Sequence, residues 1–208
     1  MPSPRAFSDL GLFVHADFLD PARRVALAVR AAAAPHTPAA IEAGPGTAVD
    51  PDVRRTDEVT ALDDTLAPLD RRLDALGPAL GRHFGVTLGS AEPLGMLRYG
   101  PGSFYRAHRD RSSGTPGTRE RAVSVVLFVN GRDGDGSYEG GALRFYGLLG
   151  EGPLAGVGLD MDPAAGTLVA FRSEVLHEVT PVTSGVRYTL VTWFSARDAA
   201  AGGGSPLP

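Results

Sequence analysis

The 208-residue chain contains no cysteine and no lysine, so its 20 basic side chains are all arginines. Each absence removes a class of chemistry. Without cysteine there is no disulfide framework, no thiolate zinc site, no cysteine-ligated iron–sulfur cluster and no cysteine nucleophile. Without lysine there is no Schiff base, no anchor for pyridoxal phosphate and no phosphate loop ending in Gly-Lys-Ser/Thr. No apolar run approaches the roughly 18–20 residues of a membrane span, and the first residues lack a basic-then-apolar signal pattern. A cytoplasmic protein without a membrane partner is therefore expected. The formal net charge is −4 and the pI near 5.7, which weighs against a nucleic-acid partner. Chemistry has to come from His, Asp, Glu, Arg, Tyr, Ser or Thr, or from a bound metal.

What is present suits one domain with a sizeable core, at 43% hydrophobic residues. Asp20-Pro21 is a helix cap followed by proline at the first helical position, and that helix should end before Pro35. Phe13 and Val14 read as a short strand entering it. Residues 35–52 are rich in proline and glycine and predict a loop or flap. Leu66, Leu69, Leu73, Leu76, Leu80 and Phe84 recur at intervals of three and four, an amphipathic helical stripe that Pro78 should break or kink. From residue 94 short apolar runs alternate with glycine-rich turns. They predict strands at 94–99, 104–109, 121–129, 141–146, 167–171, 175–180 and 186–194. Helices followed by such strands indicate an α+β, mainly β chain, a sandwich or barrel with helices packed on one side. The tail 198–208, rich in glycine, is expected to be disordered.

The chain has five histidines, His15, His36, His83, His108 and His177. His36 lies in the proline-rich segment and His83 on the helical stripe, both ordinary positions. His15 and His108 each have an aspartate two residues on, Asp17 and Asp110. On a strand, residues two apart share a face, so each pair could offer a nitrogen and a carboxylate to one metal. His15 sits at a strand-to-helix corner, whereas His108 lies in the β-rich part. His177 stands in another short strand, between Val175 and Val179. His108, Asp110 and His177 together would leave several metal positions open, as in non-haem Fe(II) oxygenases. Zinc also accepts such ligands, but the His-Glu-x-x-His motif of hydrolytic sites is absent.

Arg187 lies inside the apolar strand from Gly185 to Phe194. Buried there unpaired it would be costly, and its fork suits a bidentate carboxylate. The partner is either an internal Asp or Glu or a small dicarboxylate cosubstrate, and Thr189 shares its face. Arg98, Arg106, Arg109, Arg111, Arg119 and Arg121 crowd around the first two metal ligands, pointing to an anionic substrate or to a solvated rim. Asp133-Gly134-Asp135 resembles the start of a calcium loop, but Arg144 stands where a glutamate is required.

These residues resemble the Fe(II)/2-oxoglutarate-dependent dioxygenases of the prolyl 4-hydroxylase superfamily, closest in layout to hypoxia-sensing prolyl hydroxylases and their bacterial relatives. The resemblance runs from Tyr99, Gly102, His108 and Asp110 through Gly140–Tyr146 and Pro163–Phe171 to His177 and Arg187. Arg55–Val59 also has a counterpart. It implies a double-stranded β-helix (jelly roll) core, residues 93–197, on an N-terminal helical support, residues 1–92, in a single domain 1–197. It implies His108, Asp110 and His177 as ligands of Fe(II), with 2-oxoglutarate and O2 as cosubstrates and ascorbate as an auxiliary reductant. Arg187, Tyr99 and Thr189 would bind the 2-oxoglutarate, and Arg98, Arg109 and Trp193 the substrate. Phe128 stands where the hypoxia-sensing enzymes carry a tyrosine for the cosubstrate. The implied activity is hydroxylation of an unactivated C–H, in a prolyl residue or an amino-acid-like molecule, coupled to decarboxylation of 2-oxoglutarate to succinate and CO2. Two rivals are a nucleic-acid-dealkylating oxygenase of the same chemistry and a non-catalytic β-sandwich binding module.

Overall fold

A computed structural model of the chain describes residues 4–43, 46–111, 120–134, 136–150 and 152–197. The tail 198–208, Arg119 and Asp135 lie outside the described residues. The capped helix forms as expected, Pro21–Ala33, with the Arg23 backbone N–H donating to the Asp20 carboxylate at 2.9 Å. The second long helix, Asp63–Phe84, runs through both Pro68 and Pro78 without ending, which corrects the expected break at Pro78. Its stripe explains this. Leu66, Leu69, Leu73, Leu80 and Phe84 are all buried, on both sides of Pro78. Burying each such side chain contributes about 1.5–3 kcal/mol, against about 3 kcal/mol lost at an interior proline. The helix stops at Gly85, whose φ of 64° is the left-handed cap that lets Val86 N–H reach the Gly81 carbonyl at 3.0 Å.

The helices cover one face of an eight-stranded antiparallel sheet. Its order is Phe13–His15, Leu168–Arg172, Arg121–Phe128, Arg187–Ala196, Gly95–Tyr99, Asp57–Val59 and His36–Pro38, with Leu88–Ala91 also pairing to Arg187–Ala196. Period two sorts the strand Arg121–Phe128 between two cores. Val123, Val125 and Leu127 pack with the helical leucines, while Val126 and Phe128 join Leu143, Phe145 and Met161 of the second sheet. That second, five-stranded sheet runs Leu159–Met161, Leu143–Phe145, His177–Val179, Phe104–His108 and Arg54–Arg55. The two face each other as a jelly roll, mainly β with the helices on the larger sheet.

The segment 35–52 is corrected from a loop to a set of short strands, His36–Pro38, Ile41–Ala43 and Gly46–Ala48. His36–Pro38 is exposed throughout and pairs only along the sheet edge, with Asp57–Val59. Backbone pairing of this kind leaves no hydrophobic alternation to read, and Pro38 is tolerated at an edge. Among the described residues no helix is long and apolar enough to cross a membrane.

Candidate active site

His108 and Asp110 come from the end of one strand and the residues just after it, and His177 from the start of the neighbouring strand. The antiparallel register sets His177 directly opposite His108. Asp110 is held in place by its backbone, since the N–H groups of Asp110 and Arg111 both donate to the Ser173 carbonyl, at 2.9 and 3.1 Å. One ligand atom from each of the three residues lies within 4.8 Å of the others. His15, by contrast, is exposed and bonds only its neighbour's carbonyl, so the first His–Asp pair forms no such group. His36 pairs with Asp57 at 3.1 Å, and His83 packs edge-on against Phe13 and Phe84.

The hydrogen bonds decide which nitrogens are available. His108 Nδ1 lies 2.8 Å from the Arg106 carbonyl, and His177 Nδ1 lies 2.9 Å from the Val175 carbonyl. A carbonyl can only accept, so each Nδ1 carries a proton and each Nε2 is the nitrogen turned toward Asp110. Burial pushes His177 down to about 4, against the opposing pull of Asp110, so its imidazole is neutral near pH 7. Burial also acts to raise the Asp110 carboxyl, but a hydrogen bond with His108, the attraction of the adjacent His177 and His108 imidazoles, and the Trp193 indole N–H hold it well below the usual carboxylate range. The Nε2 atoms of His108 and His177 then stand 3.4 and 3.5 Å from the two oxygens of an ionised carboxylate. Between His177 and Asp110 no proton is available to bridge them. Two Nε2 atoms and a carboxylate gathered in this way could hold a cation, and two imidazoles with one carboxylate suit Fe(II) or a similar divalent ion.

The facing sheet supplies a fixed positive charge. Arg187 is 1% exposed and directly opposite Tyr99 in the register of its strand. Its guanidinium carbon lies 5.0 Å from each of the Tyr99 and Phe128 ring centroids, and Nη1 is 3.4 Å from Thr189 Oγ1. Nε and Nη2 are buried without partners. No internal carboxylate pairs with Arg187 among the described residues.

Both halves open on one cavity of about 530 Å³, lined by Tyr99, Arg187, Thr189 and Trp193 from the larger sheet and His108 and His177 from the smaller, with Asp110 beside them. A larger groove of about 700 Å³ between the long helix and residues 85–90 has no histidine in its lining and lies apart from these groups. Arg109 lines the site cavity, but Arg98 does not and is corrected. It stands between the cavity-facing Leu97 and Tyr99, so period two turns it outward, where it pairs with Asp57 at 3.1 Å.

Two aromatic residues here escape a reading of the sequence. Tyr105 stacks on His108 with ring centroids 3.6 Å apart, and the Arg54 guanidinium also lies over its ring, 4.7 Å from the centre. Tyr138 is buried with an unpartnered hydroxyl. Period two from His108 puts Tyr105 on the opposite face, but the pairing shifts register between His108 opposite His177 and Tyr105 opposite Val179, which breaks that alternation. No spacing signal marks Tyr138.

Fold and site together define a jelly-roll protein in which a buried arginine faces a candidate metal-ligand cluster. A family model described as the 2OG-Fe(II) oxygenase superfamily matches residues 94–195. The solved prolyl-4-hydroxylase of Pseudomonas putida is 30% identical, with a TM-score of 0.68 over 93% of this chain and 97% of that one. The chain belongs to the 2OG-Fe(II) oxygenase superfamily, whose members use Fe(II), 2-oxoglutarate and O2. A PKHD-type hydroxylase of Klebsiella pneumoniae subsp. pneumoniae is 33% identical over 141 residues, 64% of this chain and 58% of that protein. One from Maricaulis maris is 34% identical over 98 residues, 47% of this chain and 39% of that protein. The chain thus spans between 39% and 58% of the length of these two curated relatives. A prolyl hydroxylase from Trichoplax adhaerens, solved with a hypoxia inducible factor peptide fragment, shares the fold at 18% identity and a TM-score of 0.66.

Proposed function

We propose that the chain is a Fe(II)- and 2-oxoglutarate-dependent hydroxylase acting on a prolyl or amino-acid-like C–H, with succinate and CO2 as coproducts. His108, Asp110 and His177 would hold the iron, which when bound supplies the oxygen activation that no side chain here can perform. Arg187, supported by Thr189, would take the distal carboxylate of 2-oxoglutarate, with Tyr99 lying against its guanidinium. One observation carries the reading. Two imidazole Nε2 atoms and a carboxylate converge on one side of a cavity whose other side holds a buried arginine lacking a partner on two of its nitrogens.

The protein's own contribution is positional. Backbone carbonyls fix both imidazole tautomers, the Ser173 carbonyl fixes the Asp110 turn, and Trp193 donates to the carboxylate. The prolyl preference is supported by the Pseudomonas putida relative, and an anionic feature on the substrate by Arg109. That arginine lines the cavity, donates to the Glu174 carbonyl, and pairs with no carboxylate among the described residues. A single domain over residues 1–197 is proposed with it.

The test is formation of succinate from 2-oxoglutarate under air with Fe(II), in the presence of prolyl peptides and free amino acids. The reaction is expected to disappear in His108→Ala and His177→Ala. Equal turnover in wild type and both variants would overturn the site.

A further inference from the structure

Two side chains beside each other in this fold carry buried polar atoms with no partner. Arg187 leaves Nε and Nη2 unsatisfied, and Tyr138 leaves its hydroxyl unsatisfied. Both residues are 1% exposed. They meet at Gly141, where an added Cβ would lie 3.0 Å from Arg187 Cδ and 3.6 Å from the Tyr138 ring carbon Cε2. Cε2 is bonded to the carbon that bears the hydroxyl, so the oxygen belongs to the same neighbourhood as the arginine stem.

A buried hydroxyl without a partner bears its full desolvation penalty, which a phenylalanine would avoid while filling the same space. Such a group makes sense where its partner arrives with a ligand. The surroundings of Arg187 say what that ligand offers. Tyr99 and Phe128 cover the guanidinium, each ring centre 5.0 Å from its central carbon, and Nη1 is turned to Thr189. The open edge is Nε with Nη2, a fork that matches the two oxygens of a carboxylate. A carboxylate has about four lone-pair sites, so after filling that fork it can still accept from one or two hydroxyls.

We propose that Tyr138 is a further binding residue for the cosubstrate, its hydroxyl donating to the same distal carboxylate that Arg187 grips. The inference rests on the reading of Arg187 as the anchor for 2-oxoglutarate. Phe128, a ring at this anchor, offers no hydroxyl, and Tyr138 carries one beside Gly141, which the arginine stem also approaches. In the ligand-free protein the hydroxyl contributes nothing to stability. Its bond forms only with a ligand long enough to reach it.

The experiment compares wild type with Tyr138→Phe, which keeps the ring and removes one oxygen. Binding is measured calorimetrically without O2, on protein loaded with Mn(II), for 2-oxoglutarate and for oxalate. Oxalate chelates a metal but has no second carboxylate a chain length away. Loss of a hydrogen bond to a charged acceptor is expected to weaken 2-oxoglutarate about tenfold or more, and to leave oxalate within about twofold. The melting temperature of the ligand-free variant is expected to equal or exceed that of wild type. An unchanged 2-oxoglutarate affinity overturns the proposal. So does an equal loss for both ligands or a lowered ligand-free melting temperature, either of which assigns Tyr138 a purely structural role. If wild type binds oxalate but not 2-oxoglutarate, the reading of Arg187 itself fails, and the proposal with it.

Discussion

His108 and His177 occupy one register position of adjacent antiparallel strands, facing each other as direct partners with their rings 4.3 Å apart between centroids. Two of the three proposed metal ligands are thereby placed by sheet pairing, and only Asp110 depends on a turn. Removing that turn's carboxylate should be decisive. Wild-type protein is expected to take up one equivalent of Co(II) or Fe(II) and to gain several degrees in melting temperature. Asp110→Ala should show neither effect at the same metal concentration, by elemental analysis and thermal denaturation.

Trp193 acts on the site through Asp110. Its indole N–H donates to the carboxylate, while its ring carries the Arg121 guanidinium at 3.7 Å, and Arg121 pairs with Glu92 through two hydrogen bonds of 2.8 and 2.7 Å. Trp193→Phe keeps an aromatic ring and removes the donor. Metal affinity should fall by about 10-fold or more, as for other partners that orient a metal ligand, with the fold intact by circular dichroism.

Gly141 has φ +65°, and a methyl there would lie 2.8 Å from Val182 and 3.0 Å from the Arg187 stem. Gly141→Ala should therefore displace Arg187 as well as strain the backbone. The expected result is a loss of about 1–3 kcal/mol in stability and a weakened 2-oxoglutarate affinity, with metal binding retained. Arg98→Ala provides the contrast. Its partly exposed pair with Asp57 predicts a loss of about 1 kcal/mol or less and an unchanged cosubstrate affinity.

Acid should weaken the metal-free protein by a defined route. His177 is pushed down from 6.5 to about 4 by burial, so between those values the unfolded chain binds the proton that the folded chain refuses. Stability then rises with pH across that window and is lost as pH falls through it, by up to about 3 kcal/mol at 1.36 kcal/mol per pH unit. Thermal denaturation of metal-free protein at pH 7.5 and 4.5 measures this. The drop should be smaller in His177→Gln, which has no imidazole to protonate.

Much of this arrangement is legible in the residues because strands sort side chains by parity. The two histidine strands and the arginine strand appear close to their expected limits, and His108, Asp110, His177, Arg187 and Thr189 meet at one cavity. The same parity excludes Arg98, since Leu97 and Tyr99 flank it. Other features leave no such trace. The edge strands between residues 36 and 59 are held by backbone pairing, the helix passes Pro78 because leucines on both sides are already buried, and the approach of Tyr138 to Arg187 depends on a glycine three residues along the chain. Long-range packing decides each of these, and local pattern is silent about it.

The proposed metal ligands belong to the five-stranded sheet and its adjoining turn, and the cationic anchor to the eight-stranded one. A molecule chelating metal at one end and held by Arg187 at the other would join the two layers as a tie-bar. Its length would gauge the gap between them, so a substitution that thickens or thins the shared apolar filling around Phe128, Leu143 and Phe145 would mismatch the bar to its sockets without touching either one. Loading would also tighten the whole sandwich, so protection from hydrogen exchange should rise together in both sheets when the second end is engaged.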